Sequence, residues 1–180
     1  MVLETNRLIL RPWRQTDAPA LYQYAKDPEV GPVAGWPAHT DVADSSQIIQ
    51  NVLSAEETYA VVLKGEAFPI GSIGLMIGKK SNIAIDENEG EIGYWIGVPY
   101  WGQGLIPEGV RELLRHGFAD LGLLAIWCGY FEGNEKSRRV QEKCGFQYHH
   151  TEKDKPWPFM NDTRTEHITC ITREQWQNRQ

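Results

Sequence analysis

A strand that runs through a glycine turn into a helix constrains this chain more than any other feature. In residues 91–108, apolar residues first alternate with glycine and tryptophan, as in a sheet strand with unequal faces. Gly102 and Gly104 then allow positive φ angles and a close approach of the backbone to a ligand. The N–H groups and the positive dipole end of the following helix favour an anion such as a pyrophosphate. The alternative is an ordinary turn without a ligand, because a single Gly-x-Gly is a weak signal.

The helix after this turn has one apolar face. The residues at helical spacing on that face are Ile106, Val110, Leu113, Leu114, Phe118 and Leu121. Pro107 suits the first helical turn, where its missing N–H costs nothing, and Gly122 stands where a helix stop is expected. We therefore expect one helix that extends to Leu121 and packs one side into a core.

Length and charge limit the classes of function. A chain of 180 residues is expected to form a single domain, residues 1–180, with a sizeable core. Its net charge of -6 argues against a general nucleic-acid binder, which normally carries a basic patch or stripe. The same acidic balance favours cationic partners, because the surface potential steers charged substrates.

The remaining composition indicates an intracellular protein. Residues 1–6 lack the basic, apolar and small-residue succession of a secretory leader, and no apolar run approaches the length of a membrane span. The cysteines, Cys128, Cys144 and Cys170, are odd in number and lack metal-ligand spacing, so neither a disulfide framework nor a zinc site is expected. We therefore expect a cytoplasmic protein with no metal and no membrane contact.

The rest of the chain alternates strand and helix patterns. Strands are expected at 7–13, 58–63, 70–77, 125–130, 146–150 and 167–171, and further helices at 17–27, 44–57, 135–144 and 173–179. Loops or polar connections are expected at 30–40, 79–90 and 151–165. The crossover through the central helix places strand 125–130 parallel to the central strand. These patterns predict a mixed α/β sheet with one parallel pair at its centre.

Three motifs in this order together resemble the GNAT superfamily of acetyl-CoA-dependent N-acetyltransferases. They are Thr5-Asn6-Arg7-Leu8-Ile9-Leu10-Arg11-Pro12, Gly93-Tyr94-Trp95-Ile96 followed by Tyr100-Trp101-Gly102-Gln103-Gly104, and Asn134-x-x-Ser137-x-Arg139-Val140-x-x-Lys143-Cys144-Gly145-Phe146. The resemblance covers nearly the whole chain and is closest to the ribosomal-protein N-terminal (alanine) acetyltransferase branch. It implies the acyl-CoA N-acyltransferase fold, an α/β (α+β) architecture with a largely antiparallel central sheet, one splayed parallel strand pair and flanking helices.

The resemblance also implies that acetyl-CoA fills the gap between the splayed strands. By position, the cofactor phosphates would be held by the backbone of Trp101, Gly102, Gln103, Gly104 and Leu105. The backbone of Ile96 and Val98 would pair with the pantetheine arm like an added strand. Asn134 would contact CoA, and Arg139, with its neighbour Arg138, would reach the phosphates. The alternatives are a helix N-cap for Asn134 and a solvated helix face for the arginines.

Two positions depart from the family pattern. Pro99 stands where a glutamine or arginine often begins the phosphate loop, so phosphate binding must rely on later N–H groups. Gln141 stands where many relatives have a tyrosine that acts as the acid, so another proton donor is needed. Ser137 resembles a serine that lies near the CoA sulfur in the N-terminal-acetylating branch, and it is the candidate acid. Alternatively, Ser137 solvates the first helical turn.

Glu91, at the start of the central strand, is the candidate base. Acetyl transfer to an amine needs an uncharged amine, a stabilised oxyanion and a proton for the thiolate, but no covalent nucleophile. Glu91 would take the proton from the incoming ammonium, directly or through water, and a backbone N–H of the splayed strand would stabilise the oxyanion. The alternative for Glu91 is a solvated carboxylate at a strand end.

Three functions fit these patterns. The first is an enzyme that acetylates a primary amine such as a protein N-terminus, and the second takes a small cationic amine such as a polyamine or an aminoglycoside. The third is an acyl-CoA-binding sensor without turnover, which the missing tyrosine allows. By resemblance, the acceptor side is bordered by Trp36, His39, Trp157 and Phe159. The sequence leaves open whether the chain is a monomer or a homodimer.

Overall fold

The structure is a computed structural model that describes residues 1–179. Within these residues the strands are β1 (Leu3–Glu4), β2 (Leu8–Arg11), β3 (Thr58–Leu63), β4 (Pro69–Ile77), β5 (Glu89–Ile96), β6 (Ala125–Phe131), β7 (Gln147–Trp157) and β8 (Asp162–Thr172). The α-helices are α1 (Ala18–Ala25), α2 (Gly31–Ala34), α3 (Val42–Ile48), α4 (Leu105–Arg115), α5 (Glu135–Cys144) and α6 (Arg173–Gln177). Short 3₁₀ turns cover Gln15–Asp17, Gly78–Lys80 and Val98–Tyr100, and π turns cover Ile49–Leu53 and His116–Asp120.

The strands hydrogen-bond in the order β1-β2-β3-β4-β5-β6-β8-β7. Antiparallel registers join β1 to β2, β2 to β3, β3 to β4, β6 to β8 and β7 to β8. β5 and β6 run parallel, with residues 89–91 opposite residues 125–127, and α4 lies in the crossover that a parallel pair requires. The expected α/β fold, a mostly antiparallel sheet with one parallel pair and flanking helices, is confirmed.

Contacts among the described residues group the chain into two compact units, 1–74 with 94–109 and 75–93 with 110 onwards. In the first unit, α1, the turn after α3 and β3 share a buried cluster of Trp13, Ala18, Leu21, Ala25, Ile49, Ala60 and Val62. In the same unit Gly109 faces the side chains of Leu8, Leu10 and Ile73, so the start of α4 packs on β2 and β4. The expectation that residues 1–180 act as one domain stays a prediction.

The second unit confirms that the helical segment extends to about Leu121, but it shows that Leu121 does not lie on the buried face. Val110, Leu113 and Phe118 are buried as expected, but Leu121 is 37% exposed. After Arg115 the helix becomes a π turn, in which the Leu121 N–H donates to the His116 carbonyl five residues back. The wider turn shifts the phase of the helix and rotates Leu121 out of the apolar face.

The expected helix at 44–57 is confirmed only as far as Leu53, and its apolar stripe was wrong at Val52 for the same reason. Helix α3 covers Val42–Ile48, and a π turn follows at Ile49–Leu53. The Ser54 N–H donates to the Ile49 carbonyl at 2.9 Å, again five residues back. Val52, expected in the apolar stripe, is 54% exposed as a result.

Of three other expected elements, one was predicted with its observed bounds and two were not. Helix α5 has the expected bounds, because Asn134 caps its start and Gly145 ends it at a φ of 94°. The expected polar connection at 151–165 was wrong, since β7 and β8 continue through it as a long hairpin. The expected loop at 30–40 contains the one-turn helix α2.

Candidate active site

The segment between β5 and α4 is the candidate phosphate loop, residues 98–105. After the 3₁₀ turn Val98–Tyr100, Gly102 and Gly104 both have a φ of 74°, in the left-handed region. A Cβ at Gly102 would meet nothing within 4 Å, so glycine is required there by the backbone angle and not by lack of space. The turn leads directly into α4, whose first N–H groups have no acceptor within the helix. The predicted strand, turn and helix are thus present.

Two side chains of this loop donate hydrogen bonds to backbone carbonyls in the loop or just before it. The Trp101 indole Nε1 donates to the Ile96 carbonyl at 2.9 Å, and Gln103 Nε2 donates to the Pro99 carbonyl at 3.0 Å. The Trp101 backbone N–H donates to the Val98 carbonyl at 3.1 Å, which closes the 3₁₀ turn. These side chains therefore shape the loop, while the predicted contacts of Ile96, Val98 and Trp101 with the cofactor stay predictions.

Arg7 and Glu108, for which the sequence predicts no role, hold the loop by hydrogen bonds. Arg7 Nη1 donates to the Gln103 carbonyl at 3.0 Å, and Arg7 Nε donates to Glu108 Oε2 at 2.6 Å. The two charged residues are 101 positions apart. The only sequence signal was that Arg7 belongs to the first family motif.

Glu91 is a buried carboxylate, with 6% of the residue exposed, so the solvated strand-end alternative is wrong. Its Oε2 accepts hydrogen bonds from Ser81 Oγ and from the Asn82 N–H, both at 2.7 Å. Burial raises the pKa of Glu91; the hydrogen bonds from Ser81 and Asn82 oppose this, and the Glu166 carboxylate adds to it. A carboxylate with a raised pKa is suited to general-base work, although the catalytic role of Glu91 stays a prediction.

The loop that holds Glu91 is tied to the β7–β8 hairpin by Lys155. Lys155 Nζ donates to Glu166 Oε2 at 2.8 Å and to the Asn82 carbonyl at 3.4 Å. The same ammonium pairs with Glu152 Oε2 at 2.7 Å. Lys155 therefore compensates the Glu166 carboxylate and also fixes Asn82, which donates to Glu91. No local sequence pattern indicated these partners.

The parallel register of β5 and β6 shows how far these two strands stay paired before the splay that the family resemblance predicts. It consists of Glu89↔Ala125, Gly90↔Ile126 and Glu91↔Trp127. Among the described residues of the second unit, β5 continues through Ile92 and Gly93 and β6 continues to Phe131 without further parallel pairs. The register thus ends at Glu91, and the splay of the two strands stays a prediction.

Asn134 and Arg138 have structural partners within α5. Asn134 Oδ1 accepts from the Ser137 N–H at 3.1 Å, so the N-cap alternative is observed. Arg138 Nε donates to Glu142 Oε1 at 2.9 Å along the helix surface, and Arg139 is exposed. The predicted CoA contacts of Asn134 and Arg139 stay predictions.

Gln141, in place of the family tyrosine, is at the centre of a buried polar network. Its residue is 1% exposed; Nε2 donates to the Gly129 carbonyl at 3.0 Å and to Ser137 Oγ at 3.3 Å. Its Oε1 accepts from Thr169 Oγ1 at 2.8 Å. The Gly129 carbonyl can only accept a hydrogen bond, so the Gln141 atom beside it must be the amide nitrogen. The same nitrogen faces Ser137 and therefore donates to its Oγ. Ser137 Oγ therefore accepts on that side, and its proton is directed elsewhere.

The aromatic residues expected near the acceptor lie in two clusters. Trp36 packs edge-on against Trp95 at 5.7 Å between ring centroids and contacts His39 at 5.3 Å. Burial lowers the pKa of His39, although a neighbouring carboxylate opposes this, which favours a neutral ring. Trp157 lies 6.1 Å from Phe159, which is 68% exposed. Their role in acceptor recognition stays a prediction.

Residues 1–179 contain neither a membrane-spanning helix nor a cluster of metal ligands. In that part of the chain no helix is long and apolar enough to cross a membrane. No group of three or more His, Cys, Asp or Glu there is arranged to hold a metal ion. Cys128, Cys144 and Cys170 are free thiols.

Comparison with known proteins connects this geometry to a family. The chain matches the family model of the acetyltransferase (GNAT) domain over residues 7–147. It is 34% identical over 152 residues to the uncharacterized N-acetyltransferase p20 of Bacillus licheniformis, which covers 81% of this chain and 82% of that protein.

Solved structures agree on the fold. An acetyltransferase (GNAT family) from Bacillus anthracis aligns with a TM-score of 0.80 at 24% identity, over 97% of this chain and 99% of that chain. The ribosomal-protein-S5-alanine acetyltransferase of Vibrio fischeri aligns with a TM-score of 0.74 at 20% identity, over 98% of both chains. Together with the family model and the p20 relative, they show that this chain belongs to the GNAT family of N-acetyltransferases.

Proposed function

We propose that this N-acetyltransferase transfers the acetyl group of acetyl-CoA directly to a primary amine in a ternary complex, and that the amine is a protein N-terminus. The observation that carries the reaction type is Glu91, a buried carboxylate held by two hydrogen-bond donors at 2.7 Å. A base in such a setting can receive the proton that an ammonium must lose before it attacks a carbonyl. No covalent acetyl-enzyme is needed.

The candidate phosphate loop fits the phosphates of acetyl-CoA. Its two left-handed glycines leave backbone uncovered by side chains, and α4 adds first-turn N–H groups and a positive dipole end. When bound, acetyl-CoA supplies an activated thioester. The residues that would hold it through backbone or side-chain contacts are Ile96, Val98, Trp101, Gly102, Gln103, Gly104, Leu105, Asn134 and Arg139.

Glu91 and Ser137 divide the proton transfers in this proposal. Glu91 accepts a proton from the acceptor ammonium, and the freed nitrogen forms a bond to the thioester carbonyl carbon. The nitrogen then loses its second proton to solvent as the amide forms. Ser137 donates its hydroxyl proton to the thiolate sulfur as the carbon–sulfur bond breaks, and it regains a proton from solvent. Gln141 supports this step, because its amide donates to Ser137 Oγ at 3.3 Å and so directs the serine proton away from the amide.

A protein N-terminus is favoured as acceptor by the resemblance of three motifs to the N-terminal-acetylating branch. The structural likeness to a ribosomal-protein-S5-alanine acetyltransferase agrees with this choice. The net charge of -6 suits a cationic acceptor, including the alternative of a small polyamine or aminoglycoside. We also propose that residues 1–180 act as one catalytic domain in the cytoplasm, where free thiols stay reduced.

A thiol-release assay tests the reaction and its acceptor. The purified protein is mixed with acetyl-CoA and with peptides, spermidine or an aminoglycoside, and products are identified by mass. We expect thiol release with peptides and one acetyl group on the peptide N-terminus. Faster turnover of a small amine would favour that alternative, and CoA binding without turnover of any amine would favour the sensor.

A further inference from the structure

One side chain joins the N-terminal turn to the candidate phosphate loop. Arg7 lies immediately before β2 and donates to both Gln103 and Glu108, which stand on either side of Gly104. We propose that Arg7 is a positioning residue that holds this loop in the conformation that receives the phosphates of acetyl-CoA. The inference rests on the proposed cofactor site and assigns a role to the first family motif.

The hydrogen bond from Arg7 to the Gln103 carbonyl sets the direction of the peptide plane between Gln103 and Gly104. Arg7 Nη1 donates to the Gln103 carbonyl at 3.0 Å, and the described chain contains no cis peptide bond. In a planar trans peptide the carbonyl and the next N–H point in opposite directions. By holding the Gln103 carbonyl, Arg7 turns the Gly104 N–H away from itself, to the opposite side of the loop.

The guanidinium group is also placed to bridge the loop and the helix. Its planar fork of donors can serve two acceptors at fixed geometry, and Nε donates to Glu108 Oε2 at 2.6 Å while Nη1 serves Gln103. Arg7 Nη2 lies 3.7 Å from the position of a Cβ on Gly104. Arg7 therefore fixes the spacing between the loop and the first turn of α4.

Glu108 holds Arg7 in place, and the negative charge of Glu108 gives Arg7 a second function. Glu108 Oε1 accepts from Thr5 Oγ1 at 2.6 Å and from the Arg7 N–H at 2.7 Å. Burial raises the pKa of Glu108, but the hydrogen bonds from Thr5 and Arg7 outweigh burial and hold the pKa below its ordinary range. Glu108 is thus a carboxylate in the first turn of α4, and the Arg7 cation neutralises a charge that would repel phosphate.

The test compares acyl donors with and without phosphates. Arg7→Gln, Arg7→Lys and the wild type are assayed with acetyl-CoA and with S-acetylpantetheine, which has the thioester but no phosphate, and calorimetry measures CoA affinity. The matched control is Lys64→Gln, because Lys64 pairs with Glu4 at 3.2 Å and its side chain is 41% exposed, against 44% for Arg7. The control removes the same charge from the same unit without touching the loop.

We expect Arg7→Gln to raise the Kd for CoA about tenfold and to lower kcat/KM for acetyl-CoA to match. Its kcat/KM for S-acetylpantetheine should stay within about twofold of wild type, since that donor does not use the loop. Arg7→Lys keeps the charge but lacks the planar fork that holds both acceptors at fixed geometry, so it should lose about threefold in CoA affinity. Lys64→Gln should match wild type throughout.

Other outcomes overturn the inference in distinct ways. Equal losses with both donors would show that Arg7 supports the fold generally, and no loss would show that the loop does not need it. Wild-type affinity in Arg7→Lys would show that charge alone suffices. If Arg7→Gln does not fold by circular dichroism, Arg7→Lys decides the question. Failure of the wild type to bind CoA would instead refute the proposed cofactor site.

Discussion

Glu91→Gln tests the proposed proton transfer most directly. Glutamine has nearly the shape of glutamate, and its Oε1 can keep the hydrogen bond from the Asn82 N–H. Because both donors meet the same carboxylate oxygen, this amide oxygen can also keep the hydrogen bond from Ser81 Oγ. The substitution therefore removes the base but preserves the packing of a residue that is 6% exposed.

We expect kcat/KM to fall about 10²-fold, at the lower end for a general base, because amine that has already lost its proton still reacts. That loss corresponds to about 2.7 kcal/mol of transition-state stabilisation. Raising the pH should partly rescue the variant, since more acceptor then arrives as free amine. The wild-type rate should fall as pH drops through the pKa of Glu91, which burial raises, and the variant should lack that limb.

The thermal stability of Glu91→Gln should not fall together with its activity. Because burial raises the pKa of Glu91, its contribution to stability is fully present below the unfolded pKa and is lost as pH rises through the folded pKa. At neutral pH the ionised group therefore costs stability. A neutral glutamine removes this cost, so the Tm of the variant should be unchanged or higher.

The assay is thiol release across a pH series, with Tm and CoA affinity measured on the same preparations. Glu89→Gln is the matched control, because Glu89 lies two residues earlier on β5 and accepts from Trp127 Nε1 at 2.8 Å. Wild-type rates in Glu91→Gln would refute the reasoning, as would equal losses in both variants. A lower Tm with weakened CoA binding would assign Glu91 a structural role.

Gly104→Val should crowd the loop and raise the Kd for CoA about tenfold by calorimetry, whereas Gly65→Val, at another left-handed glycine with open space around it, should not. Burial raises the pKa of Cys144 to about 11 and that of Cys170 to about 12, so both should alkylate slowly in the folded protein. Intact mass after mixing with acetyl-CoA alone should show no acetyl adduct on either cysteine. Ser137→Ala should lower kcat about tenfold or more without rescue at high pH, and a rate that recovers with pH would remove Ser137 from the acid role.

Elements set by local chemistry were predictable from the sequence. Helix α5 was predicted with its observed bounds, because Asn134 provides a side-chain acceptor at the start and Gly145 adopts the left-handed conformation at the end. The turn after β5 was predictable from Gly102 and Gly104, since few other residues adopt its backbone angles. Each of these signals lies within a few residues of the structure that it determines.

Elements that depend on longer-range pairing were not predictable. Most side chains of β7 are exposed or half-buried, so this strand lacks the alternation that marks a strand, and its pairing with β8 decides its length. The π turns His116–Asp120 and Ile49–Leu53 preserve helical composition while shifting the phase of the apolar face. An apolar period alone does not distinguish a π turn from a continuous helix.

In the candidate site, too, some features were predictable from local sequence and others depend on distant contacts. Glu91 could be proposed from its position on the central strand, but its burial and its bonds to Ser81 and Asn82 depend on a loop without a sequence pattern. The contact of Arg7 with Glu108 joins residues 101 positions apart, which no local motif encodes. The family motif marked Arg7 as a position of interest without giving its physical reason.

The segment between β4 and β5 has a consequence for protein engineering. By composition, residues 79–88 are the kind of polar surface connection in which insertions and loop exchanges between relatives are normally tolerated. Here Ser81 and Asn82 donate hydrogen bonds to the candidate base, and Lys155 donates from another strand to the Asn82 carbonyl. A chimera that imports this segment from a relative would retain the fold yet lose the setting of Glu91, unless the residue that stands at the place of Lys155 in that relative were transferred with it.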